Sequence, residues 1–476
     1  MSTAAITHPV APNPGNQGIG RGGIIIMAMP LLLIALCFAN YFHLITIPPG
    51  PRVIIIFVLL ISMMTTGMPI SIALGLTVLI FIFTMTEVPI DAVALKLFTG
   101  IEKFEIMAIP FFILAGNFLT HGGVARRMID FATSLIGHWH GGLALAGIVA
   151  CAMFALVCGS SVATVVAIGS ILLPAMVKAG YPMRFGAGVI TVAGSLGILM
   201  LPSIPKVIYA VSTNTSIGAL FVAGLLPGTL LTLMLCTVTW FLARKHNYPR
   251  MPRASWADSA RAFRDSIWGL LLVVIIIGGI YSGIFTATEA AAVSAVYAFF
   301  VATVVYRELK FRQLLAIFVT AAKITAVIMF LVAAAMVSAW LITVADLPNK
   351  VVGLLQPFMG NPTLLMIAIM VLCLLVGTAM DMTPTILILT PVLMPVIKQA
   401  GIDPVYFGVL FIINNSIGLI TPPVGTVLNT VAGVGRMKMD DVTKGVIPFM
   451  LAEFAIMFLM VLFPSLVTVP AKWFGG

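Results

Sequence analysis

The sequence has few charged residues, and acidic ones are the scarcer kind. Asp, Glu, Lys and Arg make up 8% of the 476 residues, 61% of the residues are hydrophobic, and 15 acidic residues stand against 25 basic ones. A soluble fold of this composition could not cover itself with polar surface, so the chain is predicted to be a polytopic membrane protein. No basic stripe with interleaved aromatic residues accompanies the net charge of +10, so no nucleic-acid partner is expected. Lys and Arg retained in cytoplasmic loops explain the charge.

Residue types that carry redox, metal or hydrolytic chemistry are also scarce. The five cysteines lie in apolar runs, form no CxxC pair and are odd in number, which argues against a disulfide framework or a zinc site. None of the six histidines occupies the centre of an apolar span, so haem or transition-metal ligation is not expected. The chain has neither GxxxxGK[ST] nor HExxH, which argues against nucleotide-driven pumping and metalloprotease chemistry. No catalytic residue and no cofactor are predicted, and the chain is not expected to be an enzyme.

Apolar runs fill most of the chain and predict its organisation. Residues 1–23 are rich in Gly, Pro and Asn and are predicted to be a disordered cytoplasmic N-terminus, followed by an extra transmembrane helix at 24–47. Two repeats are predicted at 53–243 and 267–465, separated by a basic cytoplasmic linker at 244–266. Each repeat contains an apolar stretch too long for one helix with a polar cluster at its middle, at 141–176 and 362–399. We interpret these two stretches as re-entrant hairpins.

Each hairpin is followed by a broken helix, predicted at 186–211 and 405–432. Residues 195–206 read SLGILMLPSIPK and residues 416–427 read SIGLITPPVGTV, and both carry the Gly and Pro that a helix interior tolerates worst. A shift of 221 residues aligns Ser195 with Ser416, Gly197 with Gly418 and Pro202 with Pro423. The segment 433–445 is basic whereas its partner 212–224 has no Lys or Arg, so the two repeats are predicted to be inverted in the membrane.

Broken helices inside a membrane predict a transporter. Non-helical backbone at mid-membrane depth is stable only where protein buries it or where it lines a cavity. Inverted repeats with broken helices are typical of secondary transporters, in which unwound carbonyls hold a cation and half-helix N-termini face an anion. Small hydroxyl, amide and glycine residues that suit sodium lie at these positions, although they are equally expected where helices pack closely. They include Ser160, Gly197, Asn414, Asn415, Gly418 and Thr421.

Two charges fall inside the predicted membrane segments. Lys206 directly follows the first break, and Asp381 lies in the polar cluster of the second hairpin. Because an intramembrane charge costs about 2.5–3.5 kcal/mol on insertion scales, each residue is a functional candidate. For Lys206 the alternatives are snorkelling to the interface and pairing with a carboxylate.

Three stretches carry a resemblance to a known family. They are IPFFILAGNFLTHGGVARRMIDFATSLIGHWHGGLALAGIVACAMFALVCGSSVATVVAIGSILLPAMVKAGY (109–181), FTATEAAAVSAVYA (285–298) and GTAMDMTPTILILTPVLMPVIKQAGIDPVYFGVLFIINNSIGLITPPVG (377–425). Over about residues 53–465 the chain resembles the large membrane subunit of tripartite ATP-independent periplasmic (TRAP) transporters, the C4-dicarboxylate permease type. The resemblance implies an all-α elevator-type secondary transporter in the bacterial inner membrane, with sodium as coupling ion and a small organic acid as substrate. Besides membrane lipid, it implies two partners: a periplasmic substrate-binding protein and a small four-helix membrane subunit. In fused members a connecting helix stands where 24–47 stands here.

The resemblance also implies site residues. The first sodium site would use Cys158, Ser160, Gly197, Met200 and Pro202. The second would use the Gly377 tip with the turn that contains Asn414, Asn415 and Gly418, and Thr421 is added on its residue type. The predicted substrate residues are Ser161, Thr164, Lys206 and Asp381. Cys158 departs from the serine usual in the family, and a thiol is a poor sodium ligand. Thr164 and Lys206 also depart, from aspartate and from an apolar residue, which suggests that they tune the choice of substrate.

Two other interpretations compete with this one. A self-sufficient sodium/divalent-anion symporter of the same broad architecture would need no binding protein. A membrane redox or channel subunit would need mid-membrane histidines or a selectivity-filter repeat, and the sequence has neither.

Overall fold

A computed structural model describes residues 21–86, 88–344 and 347–475, and every regular element in these ranges is helical. The helices are α1 Arg21–Tyr41, α2 Pro49–Thr65, α3 Ile70–Met85, α4 Asp91–Ile101, α5 Ala108–His121, α6 Val124–Ile136, α7 Gly142–Cys158, α8 Ser161–Thr164, α9 Ser170–Lys178, α10 Met183–Ser195, α11 Ile204–Thr213, α12 Ile217–Ala223, α13 Leu225–Lys245, α14 Trp256–Tyr281, α15 Ala287–Phe300, α16 Phe311–Val344, α17 Leu347–Leu355, α18 Pro362–Ala379, α19 Met382–Gln399, α20 Pro404–Leu419, α21 Thr426–Gly435, α22 Met439–Leu462 and α23 Ser465–Gly475. Short 3₁₀ turns lie at Phe104–Met107, Leu196–Ile198 and Gln356–Phe358, and π-helical turns at Val165–Gly169 and Val301–Val305.

The helices have the length and apolar character of membrane spans. In the described ranges, eight helical segments are long and apolar enough to cross a membrane. Within a bilayer an α-helix satisfies its own backbone hydrogen bonds, which explains why so apolar a chain is helical almost throughout. Large apolar side chains such as Leu315 (74% exposed) and Val296 (70% exposed) point outward, as a lipid-facing surface requires. The chain is therefore an all-helical polytopic membrane protein.

The chain divides into two compact units, Met1–Leu95 and Lys96–Gly476. In the first unit, α1 and α2 pack on α3. Asn40 Nδ2 donates to Thr84 O (3.2 Å) and Arg52 Nη1 donates to Met85 O (3.1 Å), so both side chains satisfy carbonyls at the end of α3 that have no partner within the helix.

The N-terminal helix differs from its predicted bounds. The predicted helix 24–47 is α1, which begins at Arg21 and ends at Tyr41. It ends early because His43 adopts a left-handed φ of 58° and Asn40 Oδ1 accepts a hydrogen bond from Ile47 N (2.9 Å), which turns the chain back. Of the predicted disordered segment 1–23, residues 21–23 are helical and the rest lies outside the described residues.

The second unit contains two helical hairpins and two interrupted helices. Helices α7 to α9 form the first hairpin, and its tip comprises Gly159, Ser160 and the short helix α8. Helices α18 and α19 form the second, and its tip comprises the last turn of α18 from Gly377, together with Met380 and Asp381. Helices α10 and α11 are separated by a break at 199–203, and α20 and α21 by a break at 420–425. The turns directly before the breaks, Leu196–Ile198 and the last turn of α20, are counted with them. Both breaks contain a cis X–Pro bond, Leu201–Pro202 and Pro422–Pro423.

The division between the units does not fall at the predicted linker 244–266. Helices from the two predicted repeats pack against each other, α10 on α22 and α11 on α19, so these halves form one unit. The linker is also shorter than predicted, because α14 begins inside it at Trp256. Ser255 Oγ accepts a hydrogen bond from Asp258 N (3.1 Å), an N-cap that starts the helix before its apolar part. Amphipathic or short helices that the apolar pattern did not predict are α4, α6, α12, α17 and α23.

Candidate functional site

The tip of the first hairpin touches the first break. Gly159 has a left-handed φ of 65°, and a Cβ atom placed on it would overlap Pro202 O. A Cβ placed on Gly197 would lie 2.8 Å from Ser160 O, closer than any side chain tolerates. The two backbones approach this closely because both positions are glycine. Three predicted ligands, Ser160, Gly197 and Pro202, therefore lie together at this contact.

The tip of the second hairpin touches the second break in the same manner. A Cβ placed on Gly418 would lie 2.8 Å from both the carbonyl carbon and the oxygen of Gly377. Val424 N, within the break, donates to Thr378 O at 3.3 Å. Gly418 is the residue that the shift of 221 aligns with Gly197. In both halves of the second unit, the same aligned glycine meets a backbone carbonyl of a hairpin tip.

The two interrupted helices meet at a pair of aligned serines. Ser416 Oγ donates to Ser195 O at 3.1 Å, and Ser161 Oγ of the first tip lies 3.5 Å from the same oxygen. Ser195 Oγ lies 3.1 Å from Oε1 of Glu453, a residue of α22 that is 2% exposed. Sequence reasoning missed Glu453, although an acidic residue inside the apolar run 446–465 was a visible signal.

Two predicted members of the first sodium site contact other helices through their side chains. A Cβ on Gly116 of α5 would lie 3.3 Å from both Cys158 Sγ and Cys158 O, and the thiol also interacts with the side chain of Thr120 and the backbone of Ser160, so it lies between α5 and the first tip. A Cβ on Gly228 of α13 would lie 2.8 Å from Met200 Sδ, so the thioether faces α13. Because thiols and thioethers are poor sodium ligands, a cation at the Gly197 contact would be met by backbone oxygens instead.

The two asparagines that were predicted to lie in a turn are in the helix α20, and their buried carbonyl oxygens have no hydrogen-bond partner among the described residues. Asn415 Nδ2 donates to Phe411 O (2.8 Å) and Asn414 Nδ2 donates to Met370 O (2.7 Å), whereas neither Oδ1 has a partner among the described residues. Asn415 Oδ1 would lie 3.2 Å from a Cβ on Gly377, so it points at the second tip. A buried acceptor without a partner is costly, and a bound cation would satisfy it. The oxygen-only donor set fits sodium.

Two predicted threonines use their hydroxyl hydrogens within their own segments. Thr421 Oγ1 donates to Ile417 O at 2.7 Å, and Thr164 Oγ1 donates to Ser160 O at 2.8 Å. Each hydroxyl oxygen keeps lone pairs that can accept a hydrogen bond or contact a cation. Thr164 is fully buried at the first tip, close to the Gly197 contact.

The two predicted charged residues lie at different places. Lys206 is 1% exposed, and its Nζ donates to Leu199 O in the first break (2.6 Å). A Cβ on Gly224 would overlap this Nζ, so the ammonium group sits between the break and the start of α13. Asp381 is exposed at the second tip, where its Oδ1 accepts from Thr426 Oγ1 (3.3 Å). In the part of the chain that the structure describes, no hydrogen bond or ion pair connects these two charges.

Two cavities lie at the C-terminal end of α11, and the first of them is also lined by residues within α19. The first has a volume of about 340 Å³ and is lined in part by Lys96, Lys103, Ser212, Trp340 and Pro391. The second, of about 510 Å³, shares Lys103, whose Nζ donates to Val211 O at 2.9 Å and to Asn214 Oδ1 at 3.3 Å. None of the predicted sodium or substrate residues lines either cavity.

Comparison with known proteins gives a consistent result. The family described as "Tripartite ATP-independent periplasmic transporter, DctM component" matches residues 57–466. The C4-dicarboxylate TRAP transporter large permease protein DctM of Rhodobacter capsulatus is 51% identical over 431 residues, which cover 87% of this chain and 97% of that protein. The 2,3-diketo-L-gulonate TRAP transporter large permease protein YiaN of Escherichia coli K12 is 47% identical over 407 residues, covering 86% and 96%.

A solved structure shares the fold. The YdaH transporter of Alcanivorax borkumensis superposes with a TM-score of 0.57, covering 95% of this chain and 98% of its own, at 14% identity. At this identity the likeness concerns the fold alone. The family match and the two relatives establish more: the chain belongs to the DctM family of large permeases of TRAP transporters.

Proposed function

We propose that this permease imports an organic acid, a C4-dicarboxylate or a related carboxylate, across the bacterial inner membrane, with sodium as the coupling ion. The named relatives act on C4-dicarboxylate and on 2,3-diketo-L-gulonate, and both are carboxylates. Acid import against a gradient requires an energy source, and the sequence has no nucleotide-binding motif. A sodium gradient is the source that the oxygen-rich breaks favour.

The observation that carries the proposal is the pair of glycine contacts at the hairpin tips. A Cβ placed on Gly197 would lie 2.8 Å from Ser160 O, and a Cβ placed on Gly418 would lie 2.8 Å from Gly377 O. Unwound carbonyls at such breaks are the cation ligands of inverted-repeat transporters. The first site would use backbone oxygens of Ser160, Gly197 and Pro202, with Cys158 and Met200 contributing only through their carbonyls. The second would use Gly377, Gly418, Thr421 and the side-chain oxygens of Asn414 and Asn415.

We place the acid between the two tips. Helices α11 and α21 begin directly after the breaks, and the N-terminus of a helix carries a partial positive charge that favours an anion. Lys206 lies in the first turn of α11, where its amine donates hydrogen bonds and adds a positive charge when it is protonated. Ser161 and Thr164 at the first tip and Asp381 at the second complete the proposed substrate shell.

The proposed mechanism is an elevator movement. The hairpins and interrupted helices, inverted relative to each other, would move together against the remaining helices. The proposed partners are those of a tripartite system: a periplasmic binding protein that delivers the acid and a small four-helix membrane subunit. In this arrangement the N-terminus is cytoplasmic and α1 stands where fused members carry a connecting helix.

The test is uptake of a labelled panel of organic acids into proteoliposomes. Uptake is measured with and without a sodium gradient, and with and without the small subunit and the binding protein. We expect uptake that requires sodium and both partners. Sodium-driven uptake by this chain alone would replace the tripartite mechanism by a self-sufficient symporter. Uptake unaffected by sodium would reject sodium as the coupling ion.

A further inference from the structure

Glu453 is an acidic side chain buried in the middle of a membrane span. It lies near the centre of α22 and is 2% exposed, and the same face of the helix carries the buried residues Phe449 and Met457. Desolvating an ionised carboxylate carries a large free-energy cost unless a cation or several hydrogen bonds compensate it. The neighbours of Glu453 therefore determine which form it takes.

No cation pairs with Glu453 within the described ranges. α22 packs on α10, α13, α18, α20, α21 and α23. The ionisable residues of these helices, their capping residues and α22 itself are Arg184, Cys236, Arg244, Lys245, His246, Cys373, Asp403, Tyr406, Arg436, Lys438, Asp440, Asp441, Lys444 and Lys472.

Among the described residues, none of these groups forms an ion pair with Glu453. Arg184 pairs with Asp441 at 2.6 Å, and at 1.5 Å per residue Asp441 is about 18 Å along the helix from Glu453. The Tyr406 hydroxyl donates to Met460 O at 3.1 Å, about 10 Å away in the other direction by the same rise. Lys206 is a buried basic residue that directly follows the first break. Its Nζ donates to Leu199 O and forms no ion pair with Glu453.

The hydrogen bonds around Ser195 indicate where the proton lies. Ser195 Oγ lies 2.7 Å from Val192 O and 3.1 Å from Glu453 Oε1. A serine hydroxyl has one hydrogen to donate, and both neighbours are acceptors if Glu453 is ionised. If Glu453 is protonated, its O–H donates to Ser195 Oγ, and Ser195 Oγ donates to Val192 O. Both short contacts are then hydrogen bonds, and no charge is buried.

We propose that Glu453 is a proton-binding site that stabilises the meeting point of the two interrupted helices. Binding forms an O–H bond with a proton taken from hydronium and leaves water, and release returns the proton to water. The carbonyl of Ser195 accepts from Ser416 Oγ, at 3.1 Å, so the serine that contacts Glu453 also holds the second interrupted helix. Loss of the proton leaves a buried charge at this point, so the packing of both helices depends on pH. The inference does not depend on which acid is transported.

The first test is infrared spectroscopy of the purified full chain in lipid nanodiscs. The difference spectrum between wild type and Glu453→Gln at neutral pH is expected to show the carbonyl band of a protonated carboxylic acid. Asp440→Asn, an exposed position on the same helix, is the matched control and should leave that band in place. A difference spectrum with carboxylate bands only would overturn the proposal.

The second test uses Ser195→Ala and thermal unfolding, in case Glu453→Gln folds poorly. Ser195→Ala keeps the acid but removes the one hydroxyl that can donate a charge-assisted hydrogen bond to its ionised form, so the acid band should persist to a higher pH than in wild type. The unfolding temperature of wild type should fall relative to Glu453→Gln as the pH is raised, because ionisation is costly only in the folded state. A band that titrates identically in wild type and Ser195→Ala, or parallel unfolding temperatures, would contradict the proposal.

Discussion

Replacing Gly418 by alanine tests the contact between the second break and its hairpin tip. The new Cβ would lie 2.8 Å from the carbonyl carbon and oxygen of Gly377 and 3.1 Å from its Cα. All three are backbone atoms, which move only if the tip moves. Ordinary van der Waals contact begins at 3.4 Å, so the tip must retreat by about 0.6 Å, the difference between 3.4 and 2.8 Å.

The expected magnitude follows from the cost of overpacking. Inserting a methyl group into a closely packed contact costs about 1–3 kcal/mol. If sodium binds only when the tip and the break are in contact, this cost is subtracted from the free energy of sodium binding. Because about 1.4 kcal/mol corresponds to a tenfold change, the half-saturating sodium concentration should rise about 5- to 150-fold.

The assay is the initial rate of acid uptake as a function of external sodium in proteoliposomes that contain both proposed partners. Gly433→Ala in α21 is the matched control, since a Cβ there would meet nothing within 4 Å. Gly433→Ala should leave the half-saturating sodium concentration unchanged, because the new Cβ meets no neighbour. It should not weaken α21 either, because alanine is a better helix former than glycine. An unchanged sodium dependence in Gly418→Ala, with normal expression, would refute the placement of a sodium site at this contact.

Three further predictions concern single side chains. Lys206→Met removes the amine at the start of α11 and should shift preference among the acids of the panel; unaltered preference and rate would exclude Lys206 from substrate selection. Asn415→Ala removes the unpartnered oxygen aimed at Gly377 and should raise the half-saturating sodium concentration about tenfold. Asn415→Asp keeps an oxygen there and should leave this concentration near the wild-type value; equal effects of both variants would contradict a ligand role. Thr426→Val removes the hydroxyl that donates to Asp381 and should lower the free energy of unfolding by about 0.5 kcal/mol, since the bond is exposed; a loss of about 2 kcal/mol or more in denaturant unfolding would contradict this.

Glycine and proline made the breaks predictable. These residues act on the backbone locally, by permitting or excluding particular φ values and by removing a donor. Their spacing in 195–206 and 416–427 therefore indicated where α10 and α20 end, without knowledge of any neighbour. The membrane class was predictable for a similar reason, because hydrophobic content summed over the chain does not depend on tertiary contacts.

Side-chain direction was not predictable. Cys158 and Met200 were assigned to the first sodium site by position, but their sulfurs lie beside Gly116 and Gly228, glycines in helices distant in the sequence. Glu453 was visible as a charge in an apolar run, yet its partner Ser195 is 258 residues away. Contacts between residues this far apart depend on the packing of whole helices, which a local pattern does not contain.

Helix starts marked by polar caps were missed for a different reason. The prediction relied on apolar runs, so α14 was expected at 267 and begins at Trp256. The motif Ser255-x-x-Asp258, in which the serine oxygen accepts the Asp258 N–H, is a helix-start signal that could have been read from the sequence.

The contacts at the tips bear on how an elevator movement would proceed. Each tip touches the break of its own half, and the two interrupted helices touch each other through Ser195 and Ser416. A movement of both hairpins and both interrupted helices as one body keeps all three contacts, so it costs none of these hydrogen bonds. Opening a tip breaks one contact. The second tip is held by Val424 N–Thr378 O and by Thr426–Asp381, both at 3.3 Å and the latter exposed, whereas the contact at the first tip is buried. Since exposed hydrogen bonds cost least to replace with water, the second tip is the one that should open to admit the acid.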